Sequence, residues 1–208
     1  GKEISVKNTF VWLVVISQVV TATCYIFQIR SKKAYPTVST WIIFFVGCAL
    51  SFLTYIIAEN HDIRSGIFNT SDLVYVAAIL VVVILWGKRE CKTKEDECEE
   101  EIRKAFEKWY LVGAGVIMAY GLITGNAWKS NVLTQILMTF AYFPMWHKMV
   151  LQKRNTESFF GWIPISAVFA LYPAVHEGNM LSVIYALRAL ILCLATMSMM
   201  AYYQVRQK

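Results

Sequence analysis

The sequence predicts an all-α, polytopic membrane protein with seven transmembrane helices, built as two parallel three-helix repeats joined by one linker helix. Three observations predict it. The 208-residue chain is 57% hydrophobic and only 16% charged, where a soluble domain usually carries about 25% charge. Its apolar runs approach the roughly 20 residues that a helix needs to cross a bilayer. Residues of its first part also recur, in the same order, in its last.

The elements follow in chain order. Thr9–Ile29 is the first expected crossing; it is too long for a removable signal peptide and lacks a small-residue cleavage site. The leading Gly1 fits an artificially added residue or a processed start. Thr37–Ala58 is the second crossing, entered through Pro36. Asp72–Trp86 is the third, after the polar stretch Glu59–Ser71. The loop Gly87–Lys108 holds a solvated helix candidate, because Glu99 with Arg103, Glu100 with Lys104 and Arg103 with Glu107 are favourable four-residue pairs. Trp109–Gly125, Ala127–Val150, Ser158–His176 and Asn179–Val205 complete the seven. The expected units are 1–87, the first three-helix repeat; 88–126, an inner loop and linker helix; and 127–208, the second repeat.

Charge sets the expected orientation. The net charge of +6 does not point to nucleic acid, since the cations lie in short loops between apolar runs. With the N-terminus outside, 15 Lys and Arg fall on the inner side and 4 on the outer, leaving Arg188 within a helix. Cytoplasmic loops carry such an excess, so the expectation is an N-terminus outside and a cytoplasmic C-terminus, in the plasma (inner) membrane. Tryptophan prefers the interface. Trp12 and Trp128 fall at outer helix ends, and Trp41, Trp86, Trp109, Trp146 and Trp162 near inner ones.

The internal repeat decides the architecture. Gln18-x6-Tyr25 matches Gln135-x6-Tyr142, at an offset of 117. Lys32-Lys33-x7-Trp41-Ile42 matches Lys153-Arg154-x7-Trp162-Ile163, at an offset of 121, which Ala49-Leu50 and Ala170-Leu171 keep. The third helix is matched more loosely to the seventh, by Val74-Tyr75 beside Ile184-Tyr185. Two odd-numbered units entering from the same side need one extra crossing between them, and the fourth helix supplies it. Parallel repeats of this kind are a transporter architecture, with the site near the midplane at the repeat interface.

This 3-1-3 layout, the N-out orientation and the repeated inner hairpin resemble the SWEET and PQ-loop superfamily, which also includes nicotinamide riboside transporters and the KDEL receptor. Its signature places Pro-Gln near the inner end of the first helix of each repeat, then a basic loop and a Ser-containing turn. Phe27-Gln28-Ile29-Arg30-Ser31-Lys32-Lys33 keeps the Gln; Tyr142-Phe143-Pro144-Met145, followed by Lys153-Arg154-Asn155-Thr156-Glu157-Ser158, keeps the Pro. The resemblance implies the fold, alternating access and proline hinges. Pro144, Pro164 and Pro173 are the hinge candidates; a proline removes a backbone donor and bends a helix, and static kinks are the competing explanation.

The candidate binding residues are Arg188, Gln18, Gln135, Tyr25, Tyr75, Tyr142 and Tyr185. Arg188 lies about ten residues into the seventh helix, near the midplane, where a cation costs about 2.5–3.5 kcal/mol. With no carboxylate expected centrally, it suits an anionic solute such as a carboxylate; the competing role is bonding helix carbonyls or reaching toward Asp72. Gln18 and Gln135 are matched positions that either line a pathway or bond between helices. The four tyrosines are placed to stack on a solute or simply to pack. Gly121-x-x-x-Gly125 is a close-packing motif, serving either the repeats or a homo-oligomer.

Enzyme patterns are absent: His61, His147 and His176 are scattered, and no Gly-rich phosphate loop or nucleophile elbow occurs. Cys91 and Cys98 alone make a poor zinc site, which needs four ligands, so no metal or cofactor is expected. The expected partners are the lipid bilayer and a small polar solute. The expected function is transport, with a membrane receptor or assembly factor on the same fold as the alternative. A single cavity reached by Gln18, Gln135 and Arg188 separates the two.

Overall fold

A computed structural model describes residues 2–34, 36, 38–58, 67–86, 94–163, 166–167 and 180–206. Among these the chain is all-helical, without strands. Its helices are α1 (Lys2–Arg30), α2 (Val38–Ala58), α3 (Ile67–Trp86), α4 (Lys94–Thr124), α5 (Ala127–Phe140), α6 (Phe143–Gln152) and α7 (Met180–Arg206). Residues 159–163 and 166–167 are also helical. Four helices contain stretches long and apolar enough to cross a membrane: Trp12–Arg30, Thr40–Ala58, Asn69–Trp86 and Met180–Arg206.

The helices are apolar outside and partly polar inside. On α1, Val14, Gln18, Thr21, Tyr25 and Ile29 are buried, while Trp12, Ile16, Val19 and Phe27 are exposed. A water-soluble helix shows the opposite pattern, with its apolar stripe toward the core. Polar groups turned inward and hydrocarbon turned outward are what a lipid surrounding demands.

α3 packs against both α1 and α2, and α2 packs onward against α4 and α5. The α2 span is correspondingly the best covered, 50% buried against 28% for the spans of α1 and α3. Its close approach to α4 and α5 occurs at Gly47, where a Cβ would lie 2.5 Å from the Tyr110 hydroxyl oxygen and 3.0 Å from Met138 Cγ. α7 packs against α5 and α6.

Several expected boundaries shift, each for a local reason. α1 starts at Lys2 rather than Thr9, because no breaker separates the polar residues 2–8 from the apolar run. α3 starts at Ile67 rather than Asp72, which moves Asp72 from the helix end into its second turn. The expected loop helix and fourth crossing are one 31-residue helix, α4; no Gly or Pro falls between Lys94 and Tyr110. The expected fifth helix is broken at Ala141–Tyr142, with Pro144 in the first turn of α6, where its missing N–H costs nothing.

Gly121-x-x-x-Gly125 is not a helix-docking face as a whole. A Cβ on Gly121 would come 2.7 Å from Ser130 Oγ of α5, so this glycine packs within the chain. Gly125 ends α4 at a φ of +62°, a left-handed position natural to glycine. Pro164, Pro173, Cys91 and most of Ser158–His176 lie outside the described residues, as do the side chains of Glu99, Glu100, Arg103 and Glu107.

Two further features fall on matched positions. Lys32 after α1 and Lys153 after α6 have left-handed backbones, at φ 57° and 48°, and no other non-glycine residue among those described has positive φ. Tyr25–Trp41 and Tyr142–Trp162 make nearly the same ring contact: centroids 5.6 and 5.8 Å apart, planes tilted by 44° and 49°.

Candidate functional site

Helical spacing alone gathers the walls of one cavity. Trp41, Phe44 and Cys48 are three and four residues apart and share one face of α2; Asp72, Tyr75 and Val76 do the same on α3. Arg188, Ala189 and Cys193 come from α7, and Met138, Tyr142, Gly161 and Trp162 complete the described lining. Both halves of the chain therefore contribute. The cavity measures about 60 Å³, counted as positions open to the centre of a water molecule. One water needs roughly 10–15 Å³ in that measure, so the space suits a solute of a few heavy atoms.

The walls are mostly aromatic. Trp41 packs against Tyr75 edge-on at 6.0 Å, and Phe44 meets Tyr142 at 4.9 Å with perpendicular planes. Such edge-to-face pairs place the positive ring edge on a negative ring face.

Two charges sit in this apolar frame. The Asp72 carboxylate accepts hydrogen bonds from Gln18 Nε2 on one oxygen and from the Tyr185 hydroxyl on the other. The Arg188 guanidinium lies over the Tyr185 ring, its Cζ 4.9 Å from the centroid, a cation–π contact. Among the described residues its Nε and Nη1 are buried without a hydrogen-bond partner. No ion pair among the described residues joins Asp72 to Arg188. An unpartnered buried N–H costs about 1–3 kcal/mol, more when charged.

Of the residues singled out from sequence, Tyr75, Tyr142 and Arg188 line the cavity. Gln18 and Tyr185 stand behind its wall, holding Asp72. Tyr25 supports Trp41 from outside. Gln135 does not reach the cavity: it donates to Ser51 Oγ at 2.9 Å and to Asn131 Oδ1 at 3.3 Å. Ser51 in turn donates to Asn69 at 2.6 Å, and Asn131 to Thr54 at 3.0 Å. This second network ties α2, α3 and α5 together away from the site. The expectation that no carboxylate would stand near Arg188 is corrected by Asp72, which the longer α3 carries inward.

Glu157 was not anticipated. It lies between α6 and residue 159, and its Oε2 accepts a 2.5 Å hydrogen bond from the Tyr25 hydroxyl across 132 residues of chain. Gly161 leaves the space this needs, since a Cβ there would be 3.0 Å from Tyr25 Cδ2. The contact ties the C-terminal half of α1 to the loop after α6.

Burial raises the Glu157 carboxyl from 4.5 to about 7, while the Tyr25 hydrogen bond and the Lys148 charge pull it the other way. A carboxyl raised on folding stabilises the folded chain fully below its unfolded value; that contribution fades as pH rises through about 7. Melting should therefore fall between about pH 4.5 and 7.5, by an amount worth roughly 1–3 kcal/mol. Glu157→Gln should flatten this part of the profile; an unchanged slope would assign it to other groups.

No protein-family model, curated protein or solved structure matches the chain. Among the described residues no group of three or more His, Cys, Asp or Glu stands ready for a metal ion.

Proposed function

We propose that this protein is a membrane transporter that moves a small polar solute by alternating access between two three-helix units, 1–87 and 127–208, with 88–126 as the link. The observation that carries the reading is the cavity: one space, lined from α2 and α3 on one side and from α5, α7 and residues 161–162 on the other, with a charge of each sign in aromatic walls. A carrier needs a site that both moving halves share, and a receptor or scaffold does not.

The matched left-handed lysines and the matched Tyr–Trp pairs support the parallel repeat that this mechanism requires. In this reading Gln18, Asp72 and Tyr185 close the outer side of the cavity, and Tyr25 with Glu157 close the inner side, where the chain reverses after α1 and α6. The layout resembles the SWEET and PQ-loop superfamily, and the excess of cations in the expected inner loops supports an N-terminus outside.

The test is counterflow in proteoliposomes. Vesicles holding the purified chain are loaded with a pool of small metabolites and given a trace of the same pool, isotopically labelled, outside. Accumulation of at least one labelled solute above protein-free vesicles is expected. Saturable binding to the protein without any exchange across the membrane would replace the carrier by a receptor.

A further inference from the structure

The cavity holds two opposite charges that do not neutralise each other directly. Both oxygens of Asp72 accept donated hydrogen bonds, the pattern of an ionised carboxylate. Arg188 keeps unpartnered N–H groups at Nε and at Nη1, so each edge of its fork retains a free donor. A solute bearing only negative charge would satisfy Arg188 but face the Asp72 anion. A solute bearing only positive charge would have the reverse difficulty. A neutral polyol would leave the desolvated guanidinium uncompensated.

We infer that the solute is a small zwitterion, carrying a carboxylate and an ammonium a few ångströms apart, of about the size of alanine. Its carboxylate takes the free donor at one edge of the Arg188 guanidinium, a charge-assisted hydrogen bond. Its ammonium faces Asp72 and the rings of Trp41 and Tyr75, whose faces attract a cation. The small volume limits the remainder of the molecule. This inference rests on the transport reading and specifies its solute; it narrows the anion expected from Arg188 alone.

Alanine, propionate, propylammonium and glycerol are near-isosteric probes that differ in charge. Their affinities are measured by calorimetry on the purified full chain in nanodiscs. Alanine is expected to bind at least tenfold more tightly than each of the other three. Arg188→Gln should lose about tenfold or more for alanine and turn the preference toward propylammonium. Asp72→Asn should turn it toward propionate. Arg188→Lys, which keeps charge without the fork, should fall between wild type and Arg188→Gln. The Asn variant is suited to folding, because the unpartnered Gln18 Oε1 can accept from the new amide.

Propionate or propylammonium binding as tightly as alanine would overturn the inference, and so would a best affinity for glycerol. Absence of alanine binding to a folded, nanodisc-embedded chain would overturn it as well. Counterflow with the mixed pool is read separately: exchange of a solute other than a zwitterion leaves the transport reading in place and removes this one.

Discussion

Asp72→Ala is expected to melt far below the wild type, by an amount corresponding to about 3–5 kcal/mol. For a chain of this size that is roughly 6–20 °C. The truncation strips Gln18 Nε2 and the Tyr185 hydroxyl of their acceptor and leaves the half-buried Arg188 without a nearby anion. Hydrogen bonds to a charged group are worth about 1.5–3 kcal/mol each, and donors left without a partner add a desolvation cost. Asp72→Asn should retain most of the stability. Tryptophan fluorescence on heating, in the same detergent for all variants, reads both. An Asp72→Ala chain melting within 2 °C of wild type would mean that water replaces the carboxylate and that the cluster does not hold α1, α3 and α7 together.

The second large effect is steric. Gly47→Ala brings a methyl group to 2.5 Å from the Tyr110 hydroxyl oxygen and 3.0 Å from Met138 Cγ. Overpacking of this kind typically costs about 1–3 kcal/mol. The obstacle is removable, because the Tyr110 hydroxyl is buried and has no hydrogen-bond partner among the described residues. Tyr110→Phe alone should be neutral or stabilising by about 1 kcal/mol, since a buried hydroxyl without a partner is a cost rather than a gain. The double variant should recover most of the loss. Melting the four chains as a cycle measures the coupling; strict additivity would show that the two side chains do not meet.

The helices were legible in sequence wherever hydrophobic length decided them. α2 and α7 lie within two residues of their expected bounds, because Pro36 precedes one and apolar residues fill both. Bounds decided by polar residues went astray. Asn69 and Asp72 look like the edge of a crossing, yet their side chains are satisfied inside by Ser51, Gln18 and Tyr185, so α3 begins before them. That single shift explains why Arg188, Tyr75 and Tyr142 stand out in the sequence as candidates and line the cavity, while Asp72, which also lines it, does not stand out. The signal was present in the spacing: Asp72 and Tyr75 are three apart, on one helical face.

Gln135 illustrates the opposite difficulty. It matches Gln18 at a sequence offset of 117, but its neighbours Ser51 and Asn131 offer nearer partners than the cavity does. A position in a repeat fixes depth and direction, whereas the partners belong to the facing helix. Glu157 was hidden for a related reason: its partner Tyr25 is remote in sequence, and a loop acid ordinarily points to water.

The outward-facing hydrocarbon has a thermodynamic consequence. Leu122, Ile123 and Val205 are 74%, 83% and 73% exposed, and comparable side chains cover the other helices. In a bilayer these groups meet lipid whether or not the helices are associated, so they contribute almost nothing to the free energy of assembly. Unfolding within the membrane should accordingly release little heat-capacity change per residue, because that signal comes from apolar surface meeting water. What keeps the bundle together is then tight contact such as that at Gly47 and the few inward hydrogen bonds. Each such contact carries a larger share of the total here than it would in a protein of the same length in water.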